Sequence, residues 1–108
     1  NIPTPTLIKI DVEGWEIPVI EGMKETLEKA NAPFLIVEFT EDNAQLSGFT
    51  CADLYDLIIS FGYSLYKYNW VRNELIKQDN KDYYSYTNLI AMKDDSEAKK
   101  RLKNVFIS

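Results

Sequence analysis

Short apolar runs alternate along the chain with segments whose apolar residues recur every three or four positions. Leu7 to Val12 is rich in Leu, Ile and Val and lies between prolines and Gly14. Phe34 to Phe39 is a second continuous apolar run. Runs of this length, bounded by glycine or proline, are typical of strands buried on both faces of a parallel sheet. The pattern therefore predicts two buried strands, at 7–12 and 34–39.

The segment between these runs, residues 15–31, has the periodicity of a helix. Pro18 fits its first turn, where the missing N–H costs little, and Gly22 is expected to divide the helix into two pieces. Strand, helix and strand within about thirty residues form a βαβ unit, whose strands are parallel and joined by a right-handed crossover. The apolar stripe of the helix consists of Ile20, Met23, Leu27 and Ala30.

A second helix is predicted to begin after Thr50, because Asp53 stands three residues later in a capping-box spacing. Gly62 is a suitable stop for this helix. Residues 63–70 alternate between apolar and polar and predict a third strand, with one face less buried. Residues 87–92 predict a fourth strand.

The remaining segments are less regular. Residues 40–48 are polar and predict a loop. Residues 71–86 are charged and rich in tyrosine around a short Glu-Leu-Ile core, and the pattern leaves their conformation open, with a long hairpin loop as the interpretation. A last helix is predicted over 96–105, with Ser96 as its N-cap.

The order β-α-β-α-β-β-α, without repeats or an internal linker, predicts a single α/β domain over residues 1–108. The 108 residues, 45% of them apolar, suffice for one buried core. Residues 1–6 are an extended, proline-containing lead that resembles a linker. Since the chain starts at Asn1 without an initiator Met, we expect it to be part of a longer protein.

Composition narrows the partners and the chemistry. A net charge of −5 argues against nucleic acid as a partner. No apolar run is long enough for a membrane span, so no membrane partner is expected, and the single cysteine fits a reducing, cytoplasmic location. The absence of histidine excludes Cys/His and Ser/His/Asp nucleophile systems. The one basic cluster, on the last predicted helix, is more often a solvated face than a binding patch and consists of Lys99, Lys100, Arg101 and Lys103.

Three carboxylates follow the first two predicted strands. Asp11 and Glu13 stand at the end of the first strand, and Glu38 stands near the end of the second. Ligands bind at this edge of open α/β sheets, and converging carboxylates suit a general base or a magnesium site. Alternatively, Asp11 and Glu13 cap the following helix, and Glu38 simply reaches solvent. Spacing alone leaves these alternatives open.

Other candidate groups have structural as well as functional interpretations. Cys51 at a helix start has no partner residue in the sequence and is interpreted as a small helix residue. The loop at 40–45 can contact an acceptor or serve only as a connector. Aromatic residues in the second half can stack on sugar or base rings, although packing of a small sheet is the commoner role; they are Tyr63, Tyr66, Tyr68, Trp70, Tyr83, Tyr84 and Tyr86.

The stretch from Leu7 to Glu16, Leu-Ile-Lys-Ile-Asp-Val-Glu-Gly-Trp-Glu, resembles the signature of FkbM-type methyltransferases. That signature has a Lys-Ile-Asp-Val-Glu-Gly core, an apolar-rich helix that reaches a second glycine, and a strand that ends in Glu. Val19 to Met23 and Phe34 to Glu38 agree with the later parts. The match covers residues 5–40, and the remainder agrees only in the order of its elements.

The resemblance implies a partial Rossmann-like methyltransferase sheet with flanking helices. This chain would supply the C-terminal half of the domain, with about four strands in the order 4-5-7-6 and the last strand antiparallel. In the family fold, S-adenosylmethionine lies over the first three strands, at a Gly-rich turn and an acidic ribose ligand. Neither is expected in this chain, because its four glycines form no GxG turn. The isolated chain is therefore expected to be inactive.

The resemblance favours methylation of a hydroxyl on a small molecule, sugar or lipid. Asp11 would line the crevice as base or magnesium ligand, Glu13 would orient the site, and Glu38 would bind substrate. The competing hypothesis is a non-catalytic binding module that has kept the α/β scaffold. An exposed first strand also predicts a homodimer through that sheet edge. A Gly-rich turn upstream of this segment would favour the enzyme.

Overall fold

The computed structural model describes residues 7–29, 32–79 and 86–93, together with the backbone of 106–107. The described residues form an α/β fold. In chain order its elements are β1 Leu7–Ile10, α1 Glu16–Gly22, α2 Lys24–Leu27, β2 Phe34–Phe39, α3 Glu41–Leu46, α4 Cys51–Ser60, β3 Ser64–Asn69, β4 Glu74–Lys77, β5 Thr87–Met92 and β6 Phe106–Ile107.

The strands form one mixed sheet in the order β1-β2-β5-β3-β4-β6. β1 and β2 are parallel, as the predicted βαβ unit requires. β5 lies antiparallel between β2 and β3. The α/β class is therefore confirmed. The expected number of about four strands was too low, because the described residues form a sheet of six.

β1 is shorter and more exposed than its apolar sequence predicts. The strand ends at Ile10 rather than Val12, and it occupies the outer position of the sheet next to β2 alone. The side chain of Leu7 is consequently 54% exposed, and Val12 is also exposed. The prediction of burial on both faces was wrong for this strand, because Ile8 and Ile10 pack on the core from one face, whereas Leu7 and Lys9 on the other face are exposed.

The two predicted helical segments are confirmed, including their internal details. The helix is interrupted at Met23, between α1 and α2 and next to Gly22. Pro18 lies in the first turn of α1. Thr50 caps α4 by accepting a hydrogen bond from the Asp53 backbone N–H at 3.1 Å, and the Asp53 carboxylate accepts from Thr50 N.

Two elements lie where loops were predicted. Residues 41–46 form α3, because Thr40 is extended and acidic residues occupy the first turn, where they favour a helix start. Residues 74–77 form β4 in a hairpin with β3. The connecting turn is closed by the Asn69 Oδ1 atom, which accepts from Val71 N and Arg72 N.

The sheet carries apolar residues on both faces. The larger cluster lies between the sheet and the helices and joins Leu35, Val37 and Phe39 of β2 to Ile20 of α1 and Ile58 of α4. A smaller cluster on the other face consists of Tyr66, Leu75 and Met92, with Phe34 and Ile90 packed against them. This arrangement follows from the alternation of side chains along each strand.

Some sequence-based expectations lie outside the described residues. These are the lead at 1–6, the terminal helix at 96–105 with its basic cluster, and Tyr83 and Tyr84. Among the described tyrosines, Tyr63 and Tyr66 are buried and Tyr63 donates a hydrogen bond to the Pro33 carbonyl at 2.7 Å. The packing interpretation is therefore correct for these two.

Candidate active site at the carboxyl edge of β1 and β2

Asp11 and Glu38 meet at the carboxyl edge of the two parallel strands. Asp11 directly follows β1, and Glu38 is the penultimate residue of β2. Their carboxyl groups share a hydrogen bond, which is the main cause that raises the pKa of Glu38 above its ordinary value. Burial of Glu38 raises this pKa further, since it disfavours the charged form. The predicted convergence of these two acids is thus present.

The Glu38 carboxylate is held in place by residues that follow β2. Its Oε1 atom accepts a hydrogen bond from the Thr40 hydroxyl at 2.8 Å and a longer one from the Asn43 amide at 3.4 Å. The Thr40 bond lowers the pKa of Glu38 and so partly opposes the effect of Asp11. Glu38 is 8% exposed, whereas Asp11 is exposed. The alternative that Glu38 simply reaches solvent is therefore wrong.

The loop between β1 and α1 is closed by Glu16. Its two carboxylate oxygens accept hydrogen bonds from Val12 N at 3.1 Å and Gly14 N at 3.0 Å. Glu16 is itself buried, at 5% exposure. Two backbone N–H groups that would otherwise lack a partner are thereby satisfied, and the loop carrying Asp11 is held against α1.

Gly14 lets this loop approach α3 closely. Its φ is +103°, and a Cβ placed there would stand 2.0 Å from the Asn43 carbonyl oxygen. The Ser47 hydroxyl donates to the carbonyl of Gly14 and, at 3.1 Å, to that of Ala44. Only glycine fits this position. Asp11 and Glu38 are consequently set by two loops that are fastened to each other.

Glu13 is exposed and adopts a left-handed backbone conformation, with φ of +49°. Glu16 rather than Glu13 holds the loop backbone. The N-cap of α1 is Trp15, which makes no side-chain capping bond, so neither Asp11 nor Glu13 occupies the N-cap position. The proposed roles of Asp11, Glu13 and Glu38 in the reaction remain predictions.

Glu41 at the start of α3 and Cys51 at the start of α4 are in contact with each other. Glu41 is 4% exposed, and its Oε1 atom accepts a hydrogen bond from Cys51 N at 3.1 Å. Burial and the neighbouring Glu41 raise the pKa of the Cys51 thiol to about 12. A fully protonated, buried thiol is unreactive, which agrees with the interpretation of Cys51 as a small helix residue.

The described residues do not form the magnesium site considered from sequence. No group of three His, Cys, Asp or Glu side chains within the described ranges is placed to hold a metal ion. The space next to Gly14 is filled by Asn43, so this glycine offers no cradle for a nucleotide. No helix in the same ranges is long and apolar enough to cross a membrane.

Sequence reasoning missed Glu16, Thr40, Asn43 and Ser47. The role of Glu16 could have been recognised from the sequence. Glu16 is an acid at the start of a predicted helix, two residues after Gly14, where its carboxylate can accept hydrogen bonds from the loop backbone. The other three gave no comparable signal. Asn43 and Ser47 contact Gly14 or Glu38 only because the chain folds back after β2.

A known protein family matches most of the chain. The sequence model of the Methyltransferase FkbM domain matches residues 1–65, which include β1, β2 and both carboxylates. The chain belongs to this family, as the resemblance of its opening residues predicted. The match ends at the start of β3, so the remainder of the sheet lies beyond it.

One named relative is similar to the chain over a shorter stretch. The hexuronic acid methyltransferase AglP of Haloferax volcanii is 45% identical over 38 residues. That alignment covers 35% of this chain and 15% of the relative. No solved structure matches the chain significantly.

Proposed function

We propose that the protein containing this segment is an S-adenosylmethionine-dependent methyltransferase that methylates a hydroxyl group. Family membership supports methyl transfer. The similarity to a hexuronic acid methyltransferase favours a sugar among the small-molecule, sugar and lipid acceptors. The placement of Asp11 beside Glu38, at the carboxyl edge of the parallel strands β1 and β2, is the observation that carries the proposal.

The pair suits removal of a proton from an acceptor hydroxyl. The exposed Asp11 carboxylate can receive the proton directly, and Glu38 is held behind it by Thr40 and Asn43. The Asp11 carboxyl and burial raise the pKa of Glu38, which makes Glu38 a stronger proton acceptor than an isolated glutamate. A base of higher pKa removes the hydroxyl proton more effectively, while the fixed loops orient the acid.

The methyl donor supplies a methyl group on a positively charged sulfur when it is bound. The filled space next to Gly14 does not suit a cradle for that donor, and we assign its binding to other parts of the protein. We therefore propose that the 108-residue segment alone does not catalyse methyl transfer. Its part in the reaction is to position the acceptor and take up its proton.

Replacing Asp11 with Asn in the intact protein tests this proposal. The side chain keeps its size but cannot take up the proton, so the rate of methyl transfer is expected to fall by about a hundredfold or more. The measurement is transfer of a labelled methyl group to sugar acceptors bearing free hydroxyls. Asp42, an exposed acid on α3, provides the control, since Asp42→Asn should retain activity. Full activity in Asp11→Asn would remove the role assigned to the pair.

A further inference from the structure

An open groove runs along the sheet face that carries the smaller apolar cluster. It has a volume of about 440 Å³ and is lined by residues of β2, β3 and β5 together with Tyr86. Its volume lies within the range of small-molecule sites. We call it the tyrosine groove, and its lining residues are Ile36, Lys67, Tyr68, Tyr86, Thr87, Asn88 and Ile90.

The tyrosine groove leads toward the Asp11–Glu38 pair. Ile36 is opposite Ile90 and Glu38 is opposite Asn88 in the antiparallel pairing of β2 and β5. Residues two apart on a strand, and residues directly opposite, share one face of the sheet. Glu38 therefore stands about 7 Å along β2 from the groove-lining Ile36. A ring bound in the groove can extend a substituent to the acid pair.

The two tyrosines present aromatic surface that the core does not use. Tyr68 is 43% exposed and Tyr86 is 64% exposed, in contrast to buried Tyr63 and Tyr66. The Tyr68 hydroxyl donates to Asn73 Oδ1 at 2.6 Å, which holds the ring in one orientation. Thr87 and Asn88 add polar groups to the same groove. Aromatic faces beside hydrogen-bonding side chains suit a ring with one apolar face and polar edges.

We propose, resting on the proposed function, that the tyrosine groove binds a pyranose ring of the acceptor and directs one of its hydroxyls to the Asp11–Glu38 pair. A neutral or acidic sugar has an apolar C–H face for the tyrosines and hydroxyls for Thr87 and Asn88. The competing occupant is the adenine ring of the methyl donor.

Saturation-transfer NMR on the intact protein tests this assignment without requiring turnover. The probes are the methyl glycosides of glucose, galactose, mannose and glucuronic acid, and S-adenosylhomocysteine is added as a competitor. At least one glycoside is expected to receive saturation at its ring C–H protons and to stay bound when the competitor is present. Absence of transfer to every glycoside, or displacement of the bound glycoside by S-adenosylhomocysteine, would overturn the assignment.

Variants identify the groove as the site. Tyr68→Ala and Tyr86→Ala should each weaken glycoside binding about fivefold. Tyr68→Phe keeps the aromatic ring and should bind the glycoside as the unmodified protein does. Trp70, 79% exposed and outside the groove lining, is the matched control as Trp70→Ala. Both alanine variants replace exposed side chains, so folding of either one suffices for the test. Unchanged binding in a folded alanine variant, or equal loss in Trp70→Ala, would exclude the groove.

The same measurements separate this inference from the proposed function. Asp11→Asn should lose methyl transfer but still bind the glycoside, because the groove does not depend on the acid pair for stacking. Sugar binding without methyl transfer in the unmodified protein would refute the proposed function alone. Methyl transfer with unchanged acceptor KM in folded Tyr68→Ala and Tyr86→Ala would refute the groove alone.

Discussion

At the scale of single residues, the raised pKa of Glu38 determines how the stability contributed by the site depends on pH. The shared hydrogen bond and burial both favour the protonated form of Glu38, and the Thr40 hydroxyl favours the charged form. The first two effects dominate, so the pKa of Glu38 lies above its ordinary value of 4.5. A higher pKa in the folded chain means that folding is coupled to proton uptake.

This coupling predicts that the Glu38 contribution to stability is full below pH 4.5 and is lost as the pH rises through the raised pKa. Asp11→Asn removes the charge that Glu38 would face, so this loss should become smaller. Urea unfolding followed by circular dichroism over a series of pH values measures it. Asp42→Asn should keep the pH dependence of the unmodified protein. An unaltered dependence in Asp11→Asn would show that the hydrogen bond between Asp11 and Glu38 does not affect folding.

Gly14 and Gly48 both have positive φ angles. Comparing alanine substitutions at the two positions distinguishes the cost of backbone strain from the cost of a steric clash. Gly14 has φ of +103° and lies against the Asn43 carbonyl, whereas Gly48 has φ of +82° and open space, with no heavy atom within 4 Å, where a Cβ would stand. Gly48→Ala should cost about 1 kcal/mol from backbone strain alone. Gly14→Ala should cost about 3 kcal/mol or more, because α3 must also move away. Denaturant unfolding of both variants compares the costs, and equal values would contradict the close approach.

At the scale of elements, local signals identified α4 more fully than α3. Thr50, Asp53 and Gly62 act within one helix, so their spacing in the sequence is sufficient. α3 has no side-chain cap, since the Thr40 hydroxyl donates to Glu38 instead, and polar residues without a capping signal suggested a loop. The carboxylate pair was predictable because both strands were recognisable, although β1 ends at Ile10 rather than at Val12. Its support by Asn43 and Ser47 was not, because those contacts depend on tertiary folding.

The capping box predicts a defined loss when it is removed. Thr50→Ala leaves the Asp53 backbone N–H without its acceptor and should lower the free energy of unfolding by about 1 kcal/mol. Thr50→Ser keeps the hydroxyl and should restore most of this stability. Urea denaturation of the two variants gives the comparison. If Thr50→Ala and Thr50→Ser unfold alike, the hydroxyl has no capping role.

At the scale of the whole molecule, the unpaired edge of β1 is the feature from which we predict association. The sheet begins at β1, and the described residues provide no strand on its outer side. The order of β1, β2, β5 and β3 agrees with the resemblance rather than with periodicity, because periodicity does not specify which strands are neighbours. An unpaired strand with apolar side chains is a template for pairing with another chain.

We therefore expect the 108-residue chain to form dimers through β1 as its concentration increases. Leu7→Lys places a charge on this edge and should raise the dimer dissociation constant by about tenfold or more, because it removes the burial of one leucine. Leu46→Lys is the matched control, since Leu46 is 73% exposed on α3, away from the edge. Light scattering over a concentration series distinguishes the variants. A monomer at every concentration, or equal weakening by both substitutions, would rule out dimerisation through β1.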